Sequence, residues 1–301
     1  MSTHRVRTIS DFHRLKGLAT PAHPLVSVID ASAVRWSSGQ PESLLIDFYS
    51  IALKRKPSVK LKYGQLECDF DEGLLFFMAP GQVLTIEPGE TGSGPSGFIL
   101  LVHPDFIWNT PLAKKIKQYA FFDYSVHEAL FLSEREESTL TGIIRHIEQE
   151  YASNIDHFSQ DIIIAQLELL FTYAERFYQR QFITRKTSHH EILVRLEAVL
   201  ADYFKRDSLI EEGLPTVQTI AGELNLSPSY LSSLLRILTG QSAQQHIHDK
   251  LIEKAKEWLS TTDLSVSEIA YRLGFEHPQS FSRLFKLKTR LSPKTFRESF
   301  Q

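Results

Sequence analysis

The C-terminal third of this 301-residue chain contains two copies of one sequence pattern. At an offset of 49 residues, Ile220, Ala221 and Leu224 recur as Ile269, Ala270 and Leu273. At an offset of 50, residues of the same character recur: Leu231, Leu234, Leu235 and Arg236 correspond to Phe281, Leu284, Phe285 and Lys286. The second copy is therefore one residue longer than the first between these two groups of residues. A duplicated unit is a strong constraint on the fold, because both copies must adopt the same local structure.

Each copy is typical of a helix, a tight turn and a second helix. In the first copy, the small Ala221 lets the second helix cross close to the first, and Asn225 tolerates the positive φ of a tight turn. Pro228 follows Ser227 at the start of the second helix, where a missing N–H costs nothing. The second copy has the corresponding residues Ala270, Gly274, His277 and Pro278. This pattern predicts two helix-turn-helix units, whose second helices enter the major groove of DNA.

Local signals predict where the surrounding helices begin. A Ser followed three residues later by Glu or Gln forms a capping box, which satisfies two backbone N–H groups at a helix start. We assign helix starts to three such pairs, Ser188 with Glu191, Ser242 with Gln245 and Ser265 with Glu268, and Ser292-Pro293 marks a fourth start. We expect the helix from Ser242 to about Ser260 to join the two units and to hold their second helices at a fixed separation.

The N-terminal part has a different character. Short runs rich in β-branched and aromatic residues predict strands, which favour a small barrel or sandwich up to about Pro111. The runs are Leu25–Ile29, Leu44–Leu53, Leu74–Met78, Val83–Glu87 and Phe98–Val102. Beyond Pro111, two apolar stripes with helical period predict helices. The stripes consist of Leu140, Ile143, Ile144, Ile147 and Tyr151, and of Ile162, Ile163, Leu167, Leu170, Tyr173, Ala174 and Phe177. Either a dimer interface or packing within the chain accounts for them.

A polar, basic stretch separates the two parts. Residues 184–190 are polar and lie between predicted helices, so we place the linker there. The predicted domains are residues 1–183, with strands to about 110 and helices after it, and residues 190–301. The fold class predicted is α+β.

Charge and cysteine content exclude some classes. The net charge is −3, but residues 271–301 contain seven basic and two acidic side chains, so one end of the chain is basic. Cys68 is the only cysteine, which excludes an intrachain disulfide. Residues 1–14 have no apolar run of signal-peptide length, and no stretch approaches the ~20 apolar residues of a membrane helix. We expect a cytoplasmic protein with no membrane partner.

The second copy of the repeat resembles a known family signature. Residues 265–297, which read SVSEIAYRLGFEHPQSFSRLFKLKTRLSPKTFR, resemble the AraC/XylS family of transcription regulators, and the likeness extends over the last ~110 residues. The resemblance implies an N-terminal cupin-like β-barrel with flanking helices that dimerise, followed by an all-α domain of two helix-turn-helix units joined by a linker helix. Arg290 departs from the pattern, since the family usually has Gly there.

The resemblance also implies which residues read DNA. The base-contacting positions of the second unit are His277, Gln279, Ser280 and Arg283, and those of the first are Ser229, Ser232 and Ser233. Gln can pair bidentately with adenine and Arg with guanine, whereas Ser reads bases ambiguously. Candidates for phosphate contacts are Arg236, Lys286, Lys288 and Lys294, with an ordinary solvated helix face as the alternative.

The implied function is sequence-specific regulation of transcription. The partners expected are double-stranded promoter DNA, a small-molecule effector or partner received by the N-terminal domain, a second copy of the chain and RNA polymerase. Candidates for an effector pocket are Phe48, Tyr49, Phe76 and Phe77, although core packing is the favoured interpretation of each.

The alternative is a cupin-type, metal-dependent oxygenase with a helical appendage. A metal-binding cupin needs two His one residue apart on a strand, a carboxylate and a further His. His4, His13, His23 and His103 do not provide this set. His246 and His248 have the spacing, but on a helix they point to different faces. We therefore expect no metal, no cofactor and no catalytic residues.

We predict that a fragment of residues 186–301 folds alone and binds DNA, because the linker and the helix caps separate it from the strands. Helicity by circular dichroism and affinity for the native promoter at several salt concentrations test this. An unfolded fragment contradicts the boundary, and a folded one without salt-dependent binding contradicts the function.

Overall fold

The computed structural model describes residues 3–35, 42–55, 62–63, 66–67, 73–86, 96–125, 128–153, 156–184, 186–204 and 213–299. The chain forms two compact units, residues 1–181 and 182–301. The first contains strands and helices and the second is helical, which confirms the α+β class. Cys68 and Glu87 lie outside the described residues.

Strands β1 to β10 all lie in the first unit. They are Thr3–Val6, Val26–Asp30, Glu42–Ile46, Tyr49–Arg55, Lys62–Tyr63, Leu66–Glu67, Gly73–Met78, Gln82–Ile86, Ser96–Val102 and Leu130–Leu132. One sheet has the order β1-β3-β8, a second has the order β10-β7-β4-β9-β2, and β5 pairs with β6. Within the two larger sheets every described pairing is antiparallel except that of β1 with β3.

The two larger sheets share a hydrophobic core. Leu44 of β3 packs in one buried cluster with Met78 of β7 and Leu101 of β9, so side chains of both sheets meet there. The expected single strand Leu44–Leu53 is wrong, because the chain leaves the first sheet after Ile46 and enters the second at Tyr49. The corner between them buries Phe48 completely, and its neighbour Asp47 accepts a hydrogen bond from Arg5 at 2.9 Å.

The sequence analysis missed the first strand. Residues Thr3–Val6 pair in parallel with Ser43–Ile46, and a helix, α1 (Ile9–Leu15), follows at once. This helix starts at an N-cap, Thr8, whose side chain accepts a hydrogen bond from the Asp11 N–H. A four-residue strand is too short for its alternation to stand out in the sequence.

Four more helices complete the first unit: α2 (Pro104–Ile107), α3 (Leu112–Lys115), α4 (Glu134–Ala152) and α5 (Ser159–Thr184). The Tyr151 hydroxyl at the end of α4 accepts a hydrogen bond from Val28 N on edge strand β2 at 2.8 Å. Near the end of α5, Arg180 makes two hydrogen bonds to the Glu136 carboxylate, at 2.8 and 3.0 Å. Gln181 accepts a hydrogen bond from Phe131 N. These polar contacts attach α5 to β10 and to the start of α4.

The stretch predicted as a linker is helical for most of its length. Helix α5 ends at Thr184 and α6 (Lys186–Tyr203) begins two residues later. A cap at Ser188 would start the helix at residue 189, three residues after its observed start, and the Ser188 side chain lies outside the described residues. No Gly or Pro occurs in residues 184–190, so the composition of this stretch does not disfavour a helix.

In the part of the second unit that the structure describes, six helices follow α6. They are α7 (Val217–Glu223), α8 (Pro228–Thr239), α9 (Ala243–Thr261), α10 (Val266–Arg272), α11 (Pro278–Thr289) and α12 (Pro293–Glu298). Both helix-turn-helix units, α7–α8 and α10–α11, share one buried cluster with α9, whose contribution includes Ile247, Leu251 and Ala255. The linker helix is thus the shared core of the two units.

Most of the predicted caps are present. Ser242 with Gln245 and Ser265 with Glu268 form reciprocal capping boxes, as expected. The Ser292 side chain accepts a hydrogen bond from the Thr295 N–H at 3.0 Å and so caps α12.

The second helices of the two units, α8 and α11, are called the recognition helices below. Both end in the same backbone conformation. Gly240 follows α8 with φ +75°, and Arg290 follows α11 with φ +66°. A Cβ at Gly240 would meet no atom within 4 Å, so a larger residue there is disfavoured by its backbone conformation alone. Arg290 adopts the left-handed conformation that Gly adopts without strain.

We predict opposite effects of exchanging these residues. Arg290→Gly should raise the free energy of unfolding by about 1 kcal/mol, and Gly240→Ala should lower it by about 1 kcal/mol. Urea unfolding followed by the fluorescence of Trp258 measures both, with Trp36 and Trp108 replaced by Phe. Arg290→Ala is the control, because it removes the side chain but keeps the strain. If Ala and Gly at 290 stabilise equally, the backbone argument is wrong.

Candidate nucleic-acid interface

The turns of the two units have matching geometry. Asn225 has φ +56° and Gly274 has φ +83°, so both positions predicted to need a positive φ have one. The residue after each turn donates its N–H to the carbonyl of the small residue on the first helix. These bonds join Leu226 to Ala221 at 2.9 Å and Phe275 to Ala270 at 3.0 Å. The repeat in sequence is therefore a repeat in backbone structure.

The second recognition helix, α11, presents three of its predicted base-contacting residues on one exposed face. Gln279, Ser280 and Arg283 are exposed, and their spacing places them together on the helix surface. Phe281 and Phe285 on the opposite face are completely buried. His277 is exposed at the N-cap and makes no side-chain cap bond. The four side chains are thus available to a ligand.

The first recognition helix, α8, presents a different surface. Ser229, Ser232 and Ser233 are half-buried rather than exposed. At the offset of 50, the counterpart of the exposed Ser280 is Tyr230, which is buried and packs edge-on against Phe182 with ring centroids 5.1 Å apart. Helix α8 therefore offers short hydroxyl groups, whereas α11 offers a long amide and a guanidinium.

The four candidate phosphate contacts differ in their surroundings. Arg236 and Lys286 are exposed at equivalent positions of the two recognition helices. The side chain of Lys294 is 84% exposed, with Nζ 3.9 Å from Glu298. Lys288 instead donates to the Asp249 carboxylate at 2.7 Å, and its side chain is only 25% exposed. Of the four, Lys288 therefore has the shorter and less exposed ion pair, and Lys294 has a longer one on the open surface.

Two polar side chains tie the linker helix α9 to its neighbours. Besides Lys288, Asp249 accepts a hydrogen bond from Gln241 at 3.0 Å. Near the C-terminal end of α9, Arg297 of α12 donates to the carbonyls of Leu259 at 3.2 Å and Leu264 at 2.5 Å. The sequence analysis missed both arrangements, because the partners lie up to 39 residues apart and no spacing pattern signals them.

The histidines of α9 take part in this network. His246 Nε2 lies 2.9 Å from the Thr239 hydroxyl, and His248 Nε2 lies 2.9 Å from the Gln244 amide. Burial lowers the pKa of both, and the neighbouring Lys288 charge lowers that of His248 further. Both shifts favour the neutral imidazole. Among the described residues, no group of three or more His, Cys, Asp or Glu could hold a metal. None of the described helices has the length and apolar character to cross a bilayer.

Comparison with known proteins agrees with this geometry. A family model described as a helix-turn-helix domain matches residues 220–299. The HTH-type transcriptional regulator YtdP of Bacillus subtilis is 34% identical over 83 residues, which are 28% of this chain and 11% of YtdP. YfiF of the same organism is 26% identical over 147 residues, 49% of this chain and 43% of YfiF. The chain thus spans less than half of either relative.

Two further matches are similar to this chain over different extents. The arabinose operon regulatory protein of Escherichia coli is 27% identical over 234 residues, 75% of either chain. The C-terminal domain of the response regulator yesN from Fusobacterium nucleatum is 28% identical, covers 36% of this chain and 98% of its own, and has a TM-score of 0.32. Residues 220–299 are therefore a helix-turn-helix domain, similar in sequence to parts of proteins named as transcription regulators.

Proposed function

We propose that the chain is a sequence-specific transcription regulator that reads promoter DNA with both recognition helices. One observation carries the proposal: α11 exposes Gln279, Ser280 and Arg283 together while its opposite face is buried in the repeat core. A helix held in this way, with bidentate side chains outward, suits base recognition in the major groove.

The two helices divide the recognition unequally. Arg283 and Gln279 can each make a bidentate pair with a base, worth about 1 to 3 kcal/mol of discrimination. The hydroxyls of Ser229, Ser232 and Ser233 form single hydrogen bonds of adjustable direction. We therefore assign most of the sequence preference to α11 and a weaker preference to α8. Arg236, Lys286 and Lys294 are the proposed phosphate contacts.

The shared core sets the distance between the DNA contacts of α8 and those of α11. Because α7 to α12 pack around α9 in one buried cluster, the recognition helices move as one body with the linker. We infer that they enter successive major grooves on one face of the duplex, about 10.5 base pairs apart.

The N-terminal unit is the proposed receiver of an effector or partner. Its two larger sheets share a buried core, and the Lys54 ammonium lies 5.2 Å from the centre of the Phe76 ring. Burial lowers the pKa of Lys54. Phe48, Tyr49 and Phe77 are buried, which agrees with core packing for these three. We propose that an effector or partner received by this unit alters promoter occupancy or RNA polymerase recruitment in the cytoplasm.

A second copy of the chain is the proposed partner of helix α5. Its residues Ile163, Leu167 and Leu170 are buried within the chain, so intrachain packing accounts for them. Ile162 and Leu169, two helical turns apart, remain 42% and 44% exposed on another face. A second α5 packed on this face would cover the apolar pair.

The alternative of a metal-dependent oxygenase is not developed further, because no observation favours it. The relatives described above are named as regulators.

We predict that the variants of α11 and α8 differ in the kind of DNA they select. Arg283→Ala should relax the base preference in one half of the site and weaken binding to the best sequence about 5- to 150-fold. Ser232→Ala should change the preference far less, as should Ser233→Ala at the position equivalent to Arg283. Selection of bound sequences from a random library, with each variant in the full chain, measures the preferences.

Two outcomes would contradict this division of the work. In one, Ser232→Ala alters the selected sequence as strongly as Arg283→Ala. In the other, the loss of Arg283 weakens binding equally on every sequence, which is the mark of a phosphate contact. Lys286→Ala provides the comparison, since a phosphate contact should lower affinity uniformly and reduce the salt slope by about one.

We predict that Leu169→Lys weakens self-association at least about tenfold, because it places a charge in an apolar contact between two copies of α5. Sedimentation equilibrium across a concentration series measures the effect. Val194→Lys is the control, since Val194 is an equally exposed apolar residue on α6. A wild-type chain that remains monomeric throughout, or equal effects of the two variants, rejects the α5 interface.

A further inference from the structure

One carboxylate joins three elements of the second unit. Asp249 lies on the linker helix α9, and its Oδ1 accepts a hydrogen bond from Lys288 Nζ, on the last turn of α11, at 2.7 Å. Its Oδ2 accepts one from Gln241 Nε2 at 3.0 Å, just after the Gly240 that ends α8. Asp249 thus contacts the end of each recognition helix. We call Gln241, Asp249 and Lys288 the carboxylate clip.

The end of α8 is held to α9 by a further contact. The Thr239 hydroxyl lies 2.9 Å from His246 Nε2 and also accepts a hydrogen bond from Gln241 N at 3.2 Å. These contacts hold Gln241 close to the first two turns of α9, where its side chain reaches Asp249. Because both Asp249 oxygens are engaged by different elements, rotation of one recognition helix relative to the other would break at least one hydrogen bond.

The clip distinguishes the two copies of the repeat. The counterpart of Lys288 in the first unit, at the offset of 50, is Leu238, which cannot form an ion pair. The charged attachment to α9 therefore occurs only in the second unit, the one with Arg283 and Gln279. An ion pair as exposed as this one contributes little to overall stability, so its effect lies in orientation rather than in folding.

We propose that Asp249 is a positioning residue that sets the angle between the two recognition helices and thereby the spacing of the two DNA subsites that the chain accepts. This inference rests on the proposed function. It also gives Lys288 an internal role in place of the phosphate contact that the sequence suggested.

The first experiment measures tolerance of spacing. The full chain is titrated with its selected site and with versions that have one base pair added or removed between the subsites. One base pair moves a subsite by about 3.4 Å and one-tenth of a turn. The wild-type chain should lose about tenfold in affinity, because the DNA must deform to fit. In Asp249→Ala and Lys288→Met, the same change of spacing should lower affinity only about threefold or less. Lys288→Arg keeps the charge, so it should show the wild-type loss of affinity.

The matched control breaks another ion pair on the same helix. Lys250 and Glu253 are paired at 2.8 Å on α9, and the pair links neither recognition helix. Glu253→Ala should retain the wild-type spacing loss. If Asp249→Ala also retains it, the proposal is overturned. If Lys288→Met reduces the salt slope by about one while Asp249→Ala does not, Lys288 is a phosphate contact and the proposal is again overturned.

A second measurement tests the clip without DNA. Spin labels at Arg236→Cys and Lys286→Cys, in a Cys68→Ser background, report the distance between the two recognition helices by double electron–electron resonance. Asp249→Ala should broaden this distance distribution, and Glu253→Ala should leave it unchanged. Equal widths reject the clip even if the chain binds no DNA, whereas failure of the wild-type chain to select any sequence rejects the proposed function instead. Lys288→Met replaces Asp249→Ala if circular dichroism shows that the latter does not fold.

Discussion

Burial of one side of the linker helix is the interaction on which the second unit depends. Ile247, Leu251, Ala255 and Leu259 of α9 are buried in the same cluster as the inner faces of both helix-turn-helix units. A fully buried Leu or Ile contributes about 1.5 to 3 kcal/mol, whereas an exposed ion pair contributes about 0 to 1 kcal/mol. The apolar face therefore holds the units together, and polar contacts such as Asp249 with Lys288 can only refine how they are oriented.

The two copies of the repeat share one backbone structure but carry different side chains, both in the core and on the exposed face. Leu231 and Leu235 of the first copy are replaced in the second by Phe281 and Phe285, which are equally buried. The larger rings form a chain of aromatic contacts from Phe275 through Phe281 and Phe285 to Phe296, with centroids 5.4 to 5.7 Å apart. The positive φ at the turn and the backbone hydrogen bond across it are the same in both copies, so the outer residues vary without altering the backbone that presents them.

The range over which a contact acts decides whether the sequence predicts it. Capping boxes such as Ser242 with Gln245 join residues three apart, and the positive φ values at Asn225 and Gly274 follow from the residue itself, so both could be predicted. The ion pair of Asp249 with Lys288 spans 39 residues and depends on how α9 and α11 pack. In the first unit, the division of Leu44–Leu53 into two strands depends on which sheet each half joins, which the alternation of residues does not reveal.

The paired cations also change how the charge of the C-terminal end is to be counted. By sequence, residues 271–301 contain seven basic side chains. Two of these are engaged inside the unit, Lys288 by Asp249 and Arg297 by main-chain carbonyls. Counterion release depends on the cations that reach phosphates, and not on net charge. Under the proposed function, this end of the chain therefore has fewer cations available to phosphates than its sequence suggests, and the internal cations would help to fix the geometry in which the others meet DNA.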